Sequence, residues 1–288
     1  MIEAITQALG FTFMRNALLA GVLVSIACGI IGTFVVIKRI VFISGGIAHA
    51  AYGGIGIGYF FKFSPVLGAI AFSLAAALGM GMVQRKTRER ADTVIGVMWA
   101  IGMAIGIIFI DRTAGYKADL MSYLFGSILA VPNSDLLIML GMDIVIIGLV
   151  ALFYKEFQAI AFDETFATVE NVPVDLVYMI LLGMIGFTVV MLMRVVGLIM
   201  VIAMLTIPAA ISGQFVKNMR RMMLLAIVLG MAFATIGLWL SYFLNLTSGA
   251  TIILVSGGAY LLSMGVNAAL RRVRPEGDAA AISAGGCD

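Results

Sequence analysis

Nine apolar stretches, roughly 13–37, 43–61, 65–84, 92–110, 134–154, 175–193, 196–216, 221–243 and 249–270, limit what this chain can become. About 20 residues rising about 1.5 Å each cross about 30 Å of hydrocarbon as a helix. The stretches meet or approach that length, and few of their interior positions are charged. The chain is 62% hydrophobic and 11% charged, with a mean hydropathy of +1.14. Soluble domains average about 45–50% apolar and about 25% charged residues. The fold class is therefore all-α, a polytopic transmembrane helical bundle of about nine spans, with eight as the other count around residues 112–133. Residues 1–274 are expected to form one transmembrane domain, and the tail 275–288, PEGDAAAISAGGCD, a disordered cytoplasmic extension.

The basic residues set the orientation. With Lys38 and Arg39 on the cytoplasmic side, alternate connections bring Arg85, Lys86, Arg88, Arg90, Lys155, Lys217, Arg220, Arg221, Arg271, Arg272 and Arg274 to the same side. That leaves only Arg15, Lys62, Arg112, Lys117 and Arg194 outside. The positive-inside rule then predicts an outer N-terminus and an inner C-terminus. The opening MIEAITQALGF lacks a basic region and a small-residue cleavage site, so it is not expected to be a cleaved signal peptide. Cys28 and Cys287 have neither disulfide nor metal-knuckle spacing.

Two stretches do not fit simple spanning. Residues 112–133 carry an apolar piece too short to cross, and are expected to form an outer-face or re-entrant helix covered by protein or a water-filled cavity. Residues 155–174, KEFQAIAFDETFATVENVPV, are too long for a tight turn. They place Phe162, Phe166 and Val169 at helical spacing, which predicts a short amphipathic helix. Asp163 and Glu164 suit its first turn, Asn171 tolerates the left-handed C-terminal position, and Pro173 stops it. A capped helix lying along the membrane is suited to docking on a partner.

The chain has no GxxxxGK[ST], so it does not bind ATP through a P-loop. It has no Ser/His/Asp or zinc-hydrolase spacing, and its single histidine cannot build HExxH. GIGIG at 54–58 lies inside an apolar span with no strand before it. Gly46, Ala50, Gly54 and Gly58 recur every four residues instead, a small-residue ridge that lets another helix approach closely. The histidine, His49, lies on the neighbouring stripe with Gly45 and Gly53 one turn to either side. One reading has it bonding a carbonyl of an adjacent helix. The other has it facing a pathway, because ionisable residues within a span are costly and usually serve a cavity or partner. Neutral imidazole is also the commonest side-chain ligand for transition metals. Asp143 is the other charge well inside a span, with a structural reading beside a metal- or proton-binding one. Thr206 and Pro208 allow a bend in the seventh span. The 20 methionines are expected to fill packing gaps rather than ligate metal.

In one order along residues 11–270, the blocks GTFVVIKRIVFISGGIAHAAYGGIGIGYFF, SYLFGSIL, FDETFATVENVPV, VVGLIMVIAMLTIPAA and LSYFLNLTSGATIILV resemble the membrane permease of zinc-, manganese- and iron-type ABC importers. The resemblance implies a paired permease core (a homodimer), a separate cytoplasmic ABC ATPase that binds the ATP, and an extracytoplasmic metal-binding protein that delivers the ion. It also implies a prokaryotic inner or plasma membrane, with no covalently bound cofactor and no nucleic-acid partner. The cargo would be divalent zinc, manganese or ferrous iron. The family's metal-site histidine falls on His49, and its acidic partner one turn earlier falls on Gly45. The family's coupling segment maps to residues 162–173, with Asn171 where glycine is usual. Two rival readings are a gradient-driven secondary carrier using His49 and Asp143, and a permease of the same fold for a metal chelate. No matched pair of broken helices favours the carrier.

Overall fold

A computed structural model of the chain describes residues 7–86, 91–113, 126 and 128–273. The regular secondary structure among them is helical. Four long helices come first: α1 (Thr12–Ile37), α2 (Val41–Phe60), α3 (Pro65–Lys86) and α4 (Ala91–Arg112). A single 3-10 turn (Ile128–Ala130) precedes α5 (Asn133–Leu152), and two short helices follow, α6 (Tyr154–Phe162) and α7 (Glu164–Val169). The chain then builds α8 (Val174–Val196), α9 (Leu198–Phe215), α10 (Met219–Leu244) and α11 (Ser248–Val273). Among the described residues, nine helices are long and apolar enough to cross a membrane, all but α6 and α7. They coincide with the nine stretches read from the sequence. The tail 275–288 and most of 112–133 lie outside the described residues.

The bundle has two packing centres. Around α1 lie α10, α9 and α5, while α2 is held between α3 and α4. The small-residue ridge of α2 faces α3 as its spacing predicts. A methyl group on Gly54 would lie 2.0 Å from the carbonyl oxygen of Gly68, so the two backbones touch with no side chain between them. The opposite flank of α2 meets α4 in the same way, where a Cβ on Gly56 would lie 2.3 Å from the Gly106 carbonyl oxygen. Helices in lipid gain little from the hydrophobic effect and associate through such close contacts.

Several hydroxyl side chains inside the bundle are satisfied within their own helices, whereas that of buried Thr188 has no hydrogen-bond partner. Ser25 donates to the Gly21 carbonyl at 2.6 Å and Thr33 to that of Gly29 at 2.8 Å. In α9 the helix continues through Pro208, and Thr206 donates to Ile202 at 2.8 Å one turn before it.

The expected span 196–216 begins at Leu198, because Gly197 separates α8 from α9 by one residue with φ +81° and ψ 155°. That backbone is open to glycine and strained for other residues. Pressed against the break is Gly126 (φ +61°), where a Cβ would lie 2.2 Å from the Gly197 nitrogen. The connection between α4 and α5 is further tied to α1 by Asn16, whose side-chain amide donates to the Val131 carbonyl at 3.0 Å and to Asn133 Oδ1 at 2.8 Å.

Candidate functional site

His49 sits near the middle of α2, within a helix that is buried along most of its length. Its imidazole stacks on the indole of Trp99 in α4, with ring centroids 4.2 Å apart and planes 16° from parallel. The indole N–H is engaged within α4, donating to Met103 Sδ at 3.2 Å. Phe42 extends the aromatic cluster, 5.9 Å from Trp99. His49 Nδ1 is buried and has no hydrogen-bond partner. The carbonyl-bonded reading of this histidine therefore has no support at Nδ1, which leaves a lone pair or a proton free for a ligand.

The flanking glycines are unequal. A Cβ on Gly45 would meet nothing within 4 Å, so open space lies one turn from the imidazole. At Gly53 a Cβ would lie 2.7 Å from the Phe72 ring and 3.0 Å from the Gly102 carbonyl. Of the two glycines beside His49, Gly45 leaves room and Gly53 serves packing. The stack also lies toward an outer flank, since His49 and Trp99 are only half-buried and α4 presents exposed Val97 and Ile101 on its surface.

Asp143 is 3% exposed, and neither carboxylate oxygen has a hydrogen-bond partner. It belongs to α5, which packs on α1, and lies within electrostatic reach of the buried Cys28. The two residues singled out in the sequence thus stand in different helix groups, His49 with α3 and α4 and Asp143 with α1. Among the described residues no three His, Cys, Asp or Glu side chains are grouped to hold a metal.

The connection 155–174 differs from the single helix expected. Phe162 ends α6, Asp163 takes an extended conformation (φ −152°, ψ 110°), and Phe166 and Val169 belong to the separate helix α7. The split arises because Asp163 turns its side chain into an N-cap. Its Oδ1 accepts the N–H groups of Thr165 at 2.8 Å and Phe166 at 3.1 Å, which needs non-helical backbone at the cap. Those bonds, Phe166 first, hold the carboxyl below the ordinary carboxylate value. The cap's contribution is therefore full above that value and is lost as pH falls through the lowered one.

At its other end α7 closes as the sequence predicts. Asn171 is left-handed (φ +58°), with its N–H bonded to Thr168 at 3.1 Å and that of Val172 to Ala167 at 3.0 Å. This pair of bonds is a Schellman closure. Phe162, Phe166 and Val169 are 60%, 59% and 74% exposed, and Ala167 on the other side is fully buried.

A polar cluster beneath α7 was not legible in the sequence. Lys38, following α1, pairs with Glu164 and donates to the Ile160 carbonyl at 2.8 Å. Arg85 at the end of α3 pairs with Asp175 at the start of α8 and lies 3.8 Å from Glu164. The Tyr178 ring lies beneath both cations, 5.7 Å from Lys38 Nζ and 5.4 Å from the Arg85 guanidinium carbon, while its hydroxyl bonds Gln84. A cavity of about 220 Å³ opens between these side chains. The exposed apolar residues of α7 are thus linked by charge to the ends of three long helices.

Residues 10–267 match the family model described as the ABC 3 transport family. An uncharacterized membrane protein of Synechocystis is 61% identical over 92% of this chain and 94% of its own. The manganese transport system membrane protein MntC of Listeria monocytogenes is 37% identical over 85% of this chain and 88% of its own. Among solved structures, PsaBC from Streptococcus pneumoniae in complex with Fab superposes with a TM-score of 0.82 at 30% identity, over 91% of this chain and 95% of that one.

Proposed function

The chain belongs to the ABC 3 transport family, and from that membership we propose that it is the transmembrane permease subunit of an ATP-driven importer of divalent transition-metal ions. The reading is carried by the near full-length match to relatives named as manganese transport system membrane proteins. Manganese is accordingly the first cargo to test. ATP is bound and hydrolysed by a separate cytoplasmic ATPase, which docks on Phe162, Phe166 and Val169 in the segment closed by Asn171 and Pro173. An extracytoplasmic binding protein delivers the ion on the opposite side of the membrane.

In this reading the ion passes His49, bound through the ring nitrogen. A nitrogen ligand with open space beside it at Gly45 is what supports this path. The remaining ligands are supplied by backbone carbonyls, retained water, or Asp143 if the helix groups rearrange during transport. Because the His49–Trp99 stack lies toward the exposed flank of α2 and α4, a second copy of the chain closes the path from that side. The test is co-reconstitution with the cognate ATPase in sealed vesicles. Manganese should accumulate only when ATP is on the ATPase side, and zinc and ferrous iron should show how selective the path is. Accumulation driven by an ion gradient without the ATPase would replace this reading with a secondary carrier.

The same proposal fixes the orientation, with α7 in the cytoplasm and the N-terminus outside. Lys62, between α2 and α3, and Lys155 in α6 are both exposed and stand on opposite faces in this arrangement. With Cys28 and Cys287 removed, an impermeant thiol reagent added to intact cells should label Lys62→Cys and spare Lys155→Cys. The reverse pattern would invert the topology.

A further inference from the structure

A groove of about 460 Å³ opens on the side of the bundle formed by α1, α5 and α10. Its walls are apolar, with Ile30, Ile147, Val150, Met223 and Ile227 among them, and Arg220 and Tyr154 stand at one end. The guanidinium carbon of Arg220 lies 4.6 Å from the centre of the Tyr154 ring, a stacked arrangement that holds the charge at the mouth. No carboxylate among the described residues pairs with Arg220. Lys155, Lys217 and Arg221 are exposed at the same helix ends.

From these features we propose that the groove binds one anionic phospholipid, with an acyl chain along the apolar walls and the headgroup phosphate on Arg220. Arg220 lies at the first turn of α10 and Ile227 seven residues further in, so the groove runs roughly 10 Å into the hydrocarbon at about 1.5 Å per residue. A soluble partner cannot reach walls at that depth, so a lipid or another membrane helix must cover them. The copy that closes the His49 path sits on α2 and α4, a different helix group, and leaves α1, α5 and α10 facing the bilayer. The unpaired cation then decides the lipid class, because basic side chains at the ends of membrane helices attract anionic headgroups. Which leaflet supplies the lipid follows from the orientation proposed above, whereas the class of lipid does not depend on it.

The full-length protein in detergent, given equimolar phosphatidylglycerol and phosphatidylcholine with identical acyl chains, can be examined by native mass spectrometry. Phosphatidylglycerol should be retained preferentially. Arg220→Gln should lower its retention about five-fold, toward that of phosphatidylcholine, and Arg220→Lys should keep most of the preference. Ile147→Trp, which fills the groove, should lower retention of both lipids. Arg220 is exposed, so these variants test binding rather than folding. Equal retention of the two lipids by the unaltered protein, or an undiminished preference in Arg220→Gln, would overturn the assignment. So would an Ile147→Trp variant that loses a dimer yet retains phosphatidylglycerol, since a second copy would then own the groove.

Discussion

His49→Ala is expected to reduce ATP-dependent manganese accumulation to background while leaving the protein folded and inserted. The imidazole makes one strong internal contact, the stack on Trp99, and removing an aromatic pair of this kind costs about 0.5–1.5 kcal/mol beyond the lost area. The unpartnered Nδ1 means that the substitution strands no buried donor or acceptor there. A large transport defect with normal expression, normal detergent extraction and an intact response of the ATPase would therefore report on the ion path. A companion variant sharpens the test. Gly45→Asp enters open space and sets a carboxylate one turn from the imidazole, on the same face. Oxygen ligands suit manganese better than zinc, so the variant should raise the manganese-to-zinc uptake ratio. If His49→Ala transports at the normal rate, the histidine is a packing partner of Trp99, and Asp143 becomes the next residue to substitute.

Phe166→Ala should weaken association with the ATPase by about thirty-fold and remove stimulated hydrolysis, the effect typical of a buried aromatic anchor at an interface. Phe166 is largely exposed in the isolated chain, so its truncation leaves no internal cavity. The Asp163 cap and the Asn171 closure act through backbone groups and survive the change. Copurification with the ATPase and stimulated turnover are the two measurements. Full copurification with normal turnover would remove α7 from the docking surface.

The spans were legible because each depends on local composition over about 20 residues, and a one-residue break such as Gly197 moves a boundary without erasing a helix. The α2 ridge was legible for a similar reason, since its four-residue spacing is a property of one helix. The Asn171 turn depends on one residue's tolerance of positive φ and was equally readable. What escaped were arrangements set by distant residues. Nothing near Gly126 shows that it abuts Gly197, and nothing near Lys38 shows that it meets Glu164, because both contacts are made by the closing of the bundle. The division of the segment 155–174 at Asp163 was missed for a different reason. Spacing places Phe162, Phe166 and Val169 on one helical face, but an aspartate that caps one helix also ends the preceding one. His49 was visible as a costly residue in an apolar span, yet its stack on Trp99 needs the register between α2 and α4.

The backbone contacts of α2 with α3 and α4 have a mechanical consequence. Where Gly54 meets Gly68 and Gly56 meets Gly106, no side chain can change rotamer to let one helix slide past the other. Tightly packed interiors shift between discrete arrangements rather than deforming continuously. These three helices must therefore turn as one body, with a hinge at its edge in the short connection Lys38–Ile40. His49 and Trp99 ride on that body together, so opening to one side or the other requires the block to pivot against the helices around α1.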